Sequence, residues 1–359
     1  MGPYRRSREF FLCQLGNWPG AELEDLLKGA HQSVFGPGHF VTDDCIGRLK
    51  QELADLPPEA RGRGIEPLDG PWCRFHLTHL RESGLSPETL ARAFQCSARR
   101  PQGTVEDLER RLSVLQTIGD KHQLPWKPQE VAAAIEDWRQ AGFPPCHHSE
   151  TVRQAFHPAY RVLHRDYAWM LPLLGQLDRL VARKGGGIVA IEGGSASGKT
   201  TLAAQLAELY DCRVFHMDDF FLQPHQRTEE RYGEPGGNVD RERFLEEVLL
   251  PASRGETVSL RRYDCRTQTI LPAVDQGPKA LTIVEGAYSL HPQLAPYYDL
   301  SVFLAVDPKI QRSRIEVRNR PEDRVRFFDT WIPLEQRYFQ AMGPQGRCDL
   351  TLEVSPCEW

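Results

Sequence analysis

The chain has 359 residues, 26% of them charged and 40% hydrophobic, with a formal net charge of −5. That length is enough for two domains with cores of their own, and the mild acidity gives no global case for nucleic acid or an anionic membrane as partner. Nine Cys stand at irregular spacings (13, 45, 73, 96, 146, 212, 265, 348 and 357) with no C-x-x-C pair, which reads as reduced thiols in a cytoplasmic protein rather than a disulfide framework.

At the start, Arg5, Arg6 and Arg8 precede only the short apolar run Phe10–Leu12, so no signal peptide is expected there. No stretch approaches ~18 consecutive apolar residues, so no transmembrane helix is expected. Residues 1–165 read as a mainly α-helical domain. Leu23, Leu26, Leu27 and Ala30 share one helix face within Ala21–Val34. Thr42 is placed to cap a helix through Ile46, Leu49 and Leu53 that ends at Pro57-Pro58. Ser86-Pro87 is a start signal, Thr104 with Asp107 resembles a capping box, and a further helix spans Pro128–Gln140 before the breaker run Gly142–Pro145. His39, His147 and His148 sit in polar turns whose spacing fits no standard zinc pattern, and neither histidine turn nor the Arg99-Arg100 and Arg110-Arg111 pairs assigns this domain a function.

Residues 166–186 form the connection: a helix over Arg161–Arg183, strained by Pro172, and the glycine run 185–187. From residue 187 to 359 the pattern changes. Short apolar runs at Ile188–Ile191, Val214–Met217, Leu281–Val284 and Ser301–Val306 alternate with helical stretches. The expected fold class is α/β, with a parallel sheet covered by helices on both faces.

Gly193, Gly194, Ser195, Ala196, Ser197, Gly198, Lys199 and Thr200 fit G-x-x-x-x-G-K-[ST] between a strand and a helix that opens at Thr201. Glycines let backbone N–H groups converge on phosphates, and the helix N-terminus adds positive partial charge. In this motif the Lys, here Lys199, is expected to reach the β- and γ-phosphates of a nucleotide, and the Thr200 hydroxyl to ligate Mg²⁺. This P-loop NTPase signature alone does not separate a kinase from an ATPase or a switch. Asp218 and Asp219 follow one apolar strand and Glu285 another, where strand ends face the ligand crevice. A carboxylate there takes a proton from an attacking hydroxyl or helps hold Mg²⁺; the bland alternative is helix capping. Six Arg lie between Gln311 and Arg326, with Arg314 and Arg318 on one helix face.

Together with Met217–Phe221, Tyr263-Asp264 and Val284–Tyr288, the P-loop resembles the uridine kinase and phosphoribulokinase group of P-loop kinases over about residues 187–354. The resemblance implies that Asp218 is the catalytic base, that Lys199 and Arg318 are catalytic, and that Glu285 is associated with Mg²⁺. It places Asp240 and Tyr263 in the substrate pocket, with Arg314 and Arg324 in the lid. The sequence departs from pyrimidine readers at two positions, Gln268 for a His and Cys265 for an aromatic; Gln268 can still hydrogen-bond a base edge. The implied reaction is transfer of the γ-phosphoryl group of ATP to a small hydroxyl-bearing substrate, nucleoside-like or another sugar-like alcohol. An ATP-binding regulator of the N-terminal domain is the alternative from another class. The sequence leaves a homo-oligomer open.

Overall fold

The computed structural model describes residues 3–37, 44–58, 60, 62 and 64–354. The chain divides into two compact units, one up to Gln176 and the other from Leu177 onward.

The N-terminal unit is built from helices α1 (Pro3–Asn17), α2 (Leu23–Phe35), α3 (Cys45–Ala54), α4 (Pro87–Ala98), α5 (Val105–Asp120), α6 (Pro128–Gln140) and α7 (Glu150–Phe156), with shorter turns between them. Ser86 accepts from the Thr89 amide, and Thr104 and Asp107 complete a reciprocal capping box, as their spacing predicts. The expected cap Thr42 lies outside the described residues; Asp44 caps α3 by accepting from the Gly47 amide. Leu26, Leu27, Leu108, Leu112, Leu115 and Val131 form the centre of this unit's core.

The unit is not purely helical. A three-stranded antiparallel sheet joins β1 (Ile65–Pro67), β2 (Trp72–His76) and β3 (Tyr160–His164) in that order. The helix expected over Arg161–Arg183 therefore breaks. Tyr160–His164 instead pairs with β2, Trp72 opposite His164 and His76 opposite Tyr160. Its β-branched and aromatic residues satisfy a buried ladder that a helix would leave open. A regular helix, α8, resumes only at Leu171–Lys184, with Pro172 in its first turn, where a missing N–H costs nothing.

The C-terminal unit is a five-stranded, wholly parallel sheet of β4 (Gly187–Gly193), β5 (Cys212–His216), β6 (Leu281–Glu285), β7 (Leu300–Val306) and β8 (Leu350–Val354), in the order β8-β7-β4-β6-β5. Its central strands β4 and β6 are buried along nearly their whole length, as a sheet covered on both faces requires. Helices α9 (Lys199–Leu209), α10 (Pro308–Arg318), α11 (Pro321–Arg326) and α12 (Ile332–Met342) follow or link the strands. The sequence reading missed edge strand β8. No described helix is long and apolar enough to cross a membrane.

Candidate active site

The order reverses beside β4, so the loop leaving β4 opens at the switch point where ligands bind in open α/β sheets. Gly193 has φ +150° and Gly198 +106°, a backbone only glycine enters without strain. Ala196, at φ +57°, holds the left-handed conformation despite its side chain. α9 starts at Lys199, directly after the loop. This is the P-loop NTPase fold.

Lys199 is buried, and its Nζ donates to the Gly194 carbonyl at 2.9 Å. The Thr200 hydroxyl donates to Glu285 Oε1 at 3.0 Å. Parallel pairing brings Glu285 opposite both Ile191 and His216, and His216 Nδ1 lies 2.6 Å from the same carboxylate oxygen. Burial works against ionisation of Glu285, yet the His216 hydrogen bond and the Lys199 charge hold its carboxyl below the ordinary range. The bond to Glu285 correspondingly raises His216. Thr201 is exposed in the first turn of α9.

Asp218 stands in the tight turn Met217–Phe220 that follows β5. Crowding protein atoms hold its carboxyl above the ordinary range against the pull of Lys199, with the Glu285 and Asp219 carboxylates adding to the rise. Asp219 is tied instead to Arg262, 3.8 Å from its Oδ2, and its carbonyl accepts from Arg243.

Two buried carboxylates shape the loop that sequence reasoning passed over. Glu192 accepts backbone N–H bonds from Gly193 and Tyr288 on one oxygen, and on the other the Leu290 N–H and the Tyr338 hydroxyl. Tyr288 reaches it from φ +74°, which is unusual for a bulky residue. Glu335, on α12, accepts from the Ser195 N–H at 2.9 Å and from the Ser195 hydroxyl at 2.5 Å; burial pushes its pKa up. The only signal for either was an acidic residue in an apolar setting: Glu192 closes an apolar strand, and Glu335 shares a face with Tyr338.

Of the arginines expected in the lid, Arg314 touches the P-loop, its Nη1 3.1 Å from the carbonyls of Ala196 and Ser197. Gln311 joins it, donating to the Ser195 carbonyl at 2.8 Å. Arg318 is exposed, its guanidinium over the Phe327 ring, and Arg324 donates to the Asn319 carbonyl. Asp240 is buried and caps the helical turn at Arg241 by accepting from the Arg243 amide; it also accepts from Gln226 and Arg243 side chains. Its amide donates to the Phe220 carbonyl, which fixes it beside the Asp218 turn. Tyr263, also buried, packs against that turn in a small hairpin, its hydroxyl accepting from Arg227 at 2.7 Å. Gln268 is exposed in the loop of the same hairpin at φ +58°.

No protein-family model matches the chain. It is 28% identical over 173 residues to "Putative kinase protein 029R" of Invertebrate iridescent virus 3, a match spanning 45% of this chain and 84% of the viral protein. Among solved structures it is similar to a "possible uridine kinase" from Bacillus stearothermophilus, with 22% identity, a TM-score of 0.38, and coverage of 50% of this chain and 98% of the other. It is likewise similar to a "putative fructose transport system kinase" from Silicibacter sp. TM1040, with 24% identity, a TM-score of 0.41, and coverage of 52% and 97%.

Proposed function

We propose that the C-terminal unit is an ATP-dependent kinase that moves the γ-phosphoryl group to a hydroxyl of a small, nucleoside-like molecule. The observation that carries this reading is the grouping of Lys199, Thr200, Glu285 and His216 at the ends of three adjacent strands, with Asp218 in the turn beyond one of them. The viral relative with a kinase name over most of its length supports the same class.

Loop amides between Gly194 and Thr200 bind the phosphate oxygens, and Lys199 leaves the Gly194 carbonyl to neutralise charge at the β- and γ-phosphates. Thr200 and Glu285 would hold a Mg²⁺ ion, offering the oxygen donors that suit it. That ion, when bound, offsets charge on the transferring group. Among the described residues no group of three His, Cys, Asp or Glu side chains is placed to hold a metal. Asp218 accepts the acceptor hydroxyl's proton as its oxygen attacks, and a carboxyl held above the ordinary range is a better base for that task. Arg314, already on the loop, adds positive charge; Arg318 and Arg324 join it only if α10 and α11 close over the nucleotide.

Asp240 and Tyr263 flank the Asp218 turn and form the acceptor pocket. The departures at Cys265 and Gln268 favour a sugar-like alcohol as the second acceptor class. The test is ADP release with Mg²⁺-ATP across a panel of nucleosides and sugars. Release that depends on one acceptor class supports a kinase. ATP binding with no acceptor-dependent turnover would instead indicate a nucleotide-binding regulator.

A further inference from the structure

The N-terminal unit contains a cavity of about 640 Å³, within the size range of small-molecule sites. Its walls come from α2, α3 and the turn after it, α4, the loop before α7, α7 itself, and β3 with the segment leading into it. Four Lys or Arg side chains line it (Lys28, Arg48, Arg153 and Arg161), against two carboxylates, Glu52 and Asp55. Glu52 is already taken by Arg161, at 2.7 and 2.9 Å. The lining is thus net positive in a chain whose net charge is −5. Apolar surface from Leu56, Phe94 and Val162 shares the same walls.

One wall is set by a buried relay. Tyr160 and His148 line the cavity, and the Tyr160 hydroxyl lies 2.7 Å from His148 Nε2. His148 Nδ1 lies 2.7 Å from Asp25 Oδ1, which also accepts the Ser149 N–H. Burial pushes His148 down to about 4, so the ring is neutral and carries one N–H. Asp25 is only an acceptor, because the bonds from His148 and Ser149 outweigh its burial and hold it at about 2. The ring N–H therefore faces Asp25, Nε2 accepts, and the Tyr160 hydroxyl donates inward. Its oxygen in turn accepts from the Gln32 side-chain N–H at 3.3 Å.

Behind this wall lies Arg74, wholly buried, with its guanidinium over the Tyr160 ring at 4.9 Å. It donates to Gln32, another lining residue, and pairs with buried Glu66. Arg74 Nη2 has no hydrogen-bond partner among the described residues. A buried ionic network of this kind stabilises a fold less well than packed apolar side chains do; what it supplies is a fixed orientation for the groups it supports.

We propose that this cavity is a second ligand site, for a small organic oxyanion (a phosphate monoester or a carboxylate). Lys28 and Arg48 bind the anionic end, and the Leu56, Phe94 and Val162 surface covers the carbon skeleton.

The experiment is calorimetric titration of the full chain with ribose 5-phosphate, citrate, inorganic phosphate and ribose. The background is Lys199→Ala, which weakens the P-loop as a competing anion site. The expected result is binding of at least one of the two organic anions, tighter than phosphate and absent for ribose. Arg48→Glu, at an exposed position, should keep the melting temperature and weaken binding about tenfold or more, as loss of one charge contact does. Lys28→Met should act in the same direction. If ribose binds as well as ribose 5-phosphate, or if Arg48→Glu binds the anions unchanged, the proposal fails. It fails equally if neither organic anion binds.

Discussion

Asp218→Asn separates catalysis from support of the turn. The substitution keeps side-chain size and removes the proton acceptor. Loss of a general base is worth ~10²–10⁴ in rate, or about 3–5 kcal/mol at roughly 1.4 kcal/mol per decade. Stability should move the other way or not at all. The carboxyl is held above its ordinary range by its surroundings, so its ionised form at neutral pH weakens the folded state, and a neutral amide relieves that. Asp219→Asn is the control, because Asp219 faces Arg262 rather than the loop. Nucleotide affinity should be near wild type in both variants, since Lys199 and the loop amides carry it. The assay is acceptor-dependent ADP release per folded molecule, with the melting temperature measured alongside. If Asp219→Asn is the crippled variant, the assignment is off by one residue and the pocket around Asp240 must be redrawn. If both variants lose stability and keep their rate, the two carboxylates only support the turn.

Lys199→Ala should abolish turnover and sharply weaken ATP binding by calorimetry; normal affinity and rate would exclude this loop as the nucleotide site. Glu192→Gln should cost about 2–4 kcal/mol in denaturant unfolding, because an amide donor then faces some of the four donors that now converge on the carboxylate; an unchanged midpoint would show that this cluster is slack. His148 gives the N-terminal unit a pH dependence. Its folded pKa is depressed from 6.5 to about 4, so the unfolded state binds the extra proton in that window. Stability is then full above pH 6.5 and falls by about 3 kcal/mol as pH drops to 4. Urea unfolding across that range should lose much of its slope in His148→Gln, and an identical slope would refute the assignment.

The P-loop was legible in the sequence because its chemistry is local. Gly193–Thr200 are contiguous, the glycines meet a backbone demand, and the flanking strand and helix announce themselves by period. The parallel sheet followed from four apolar runs, and the caps at Ser86 and Thr104 from three-residue spacings. What only the tertiary structure decided involves partners far apart in the chain. β3 became a strand because β2, nearly ninety positions earlier, offered a ladder for Tyr160–His164; the local pattern there is equally compatible with a helix. Glu335 reaches Ser195 across 140 residues, and Glu285 meets Thr200 and His216 only because parallel pairing sets β6 between β4 and β5. His148 and Tyr160 could be seen as polar residues near one another, but not that Asp25, 123 residues before His148, would fix which nitrogen holds the proton. Short-range rules encode turns, caps and phosphate loops, whereas a buried carboxylate takes its role from whichever donors the fold brings to it.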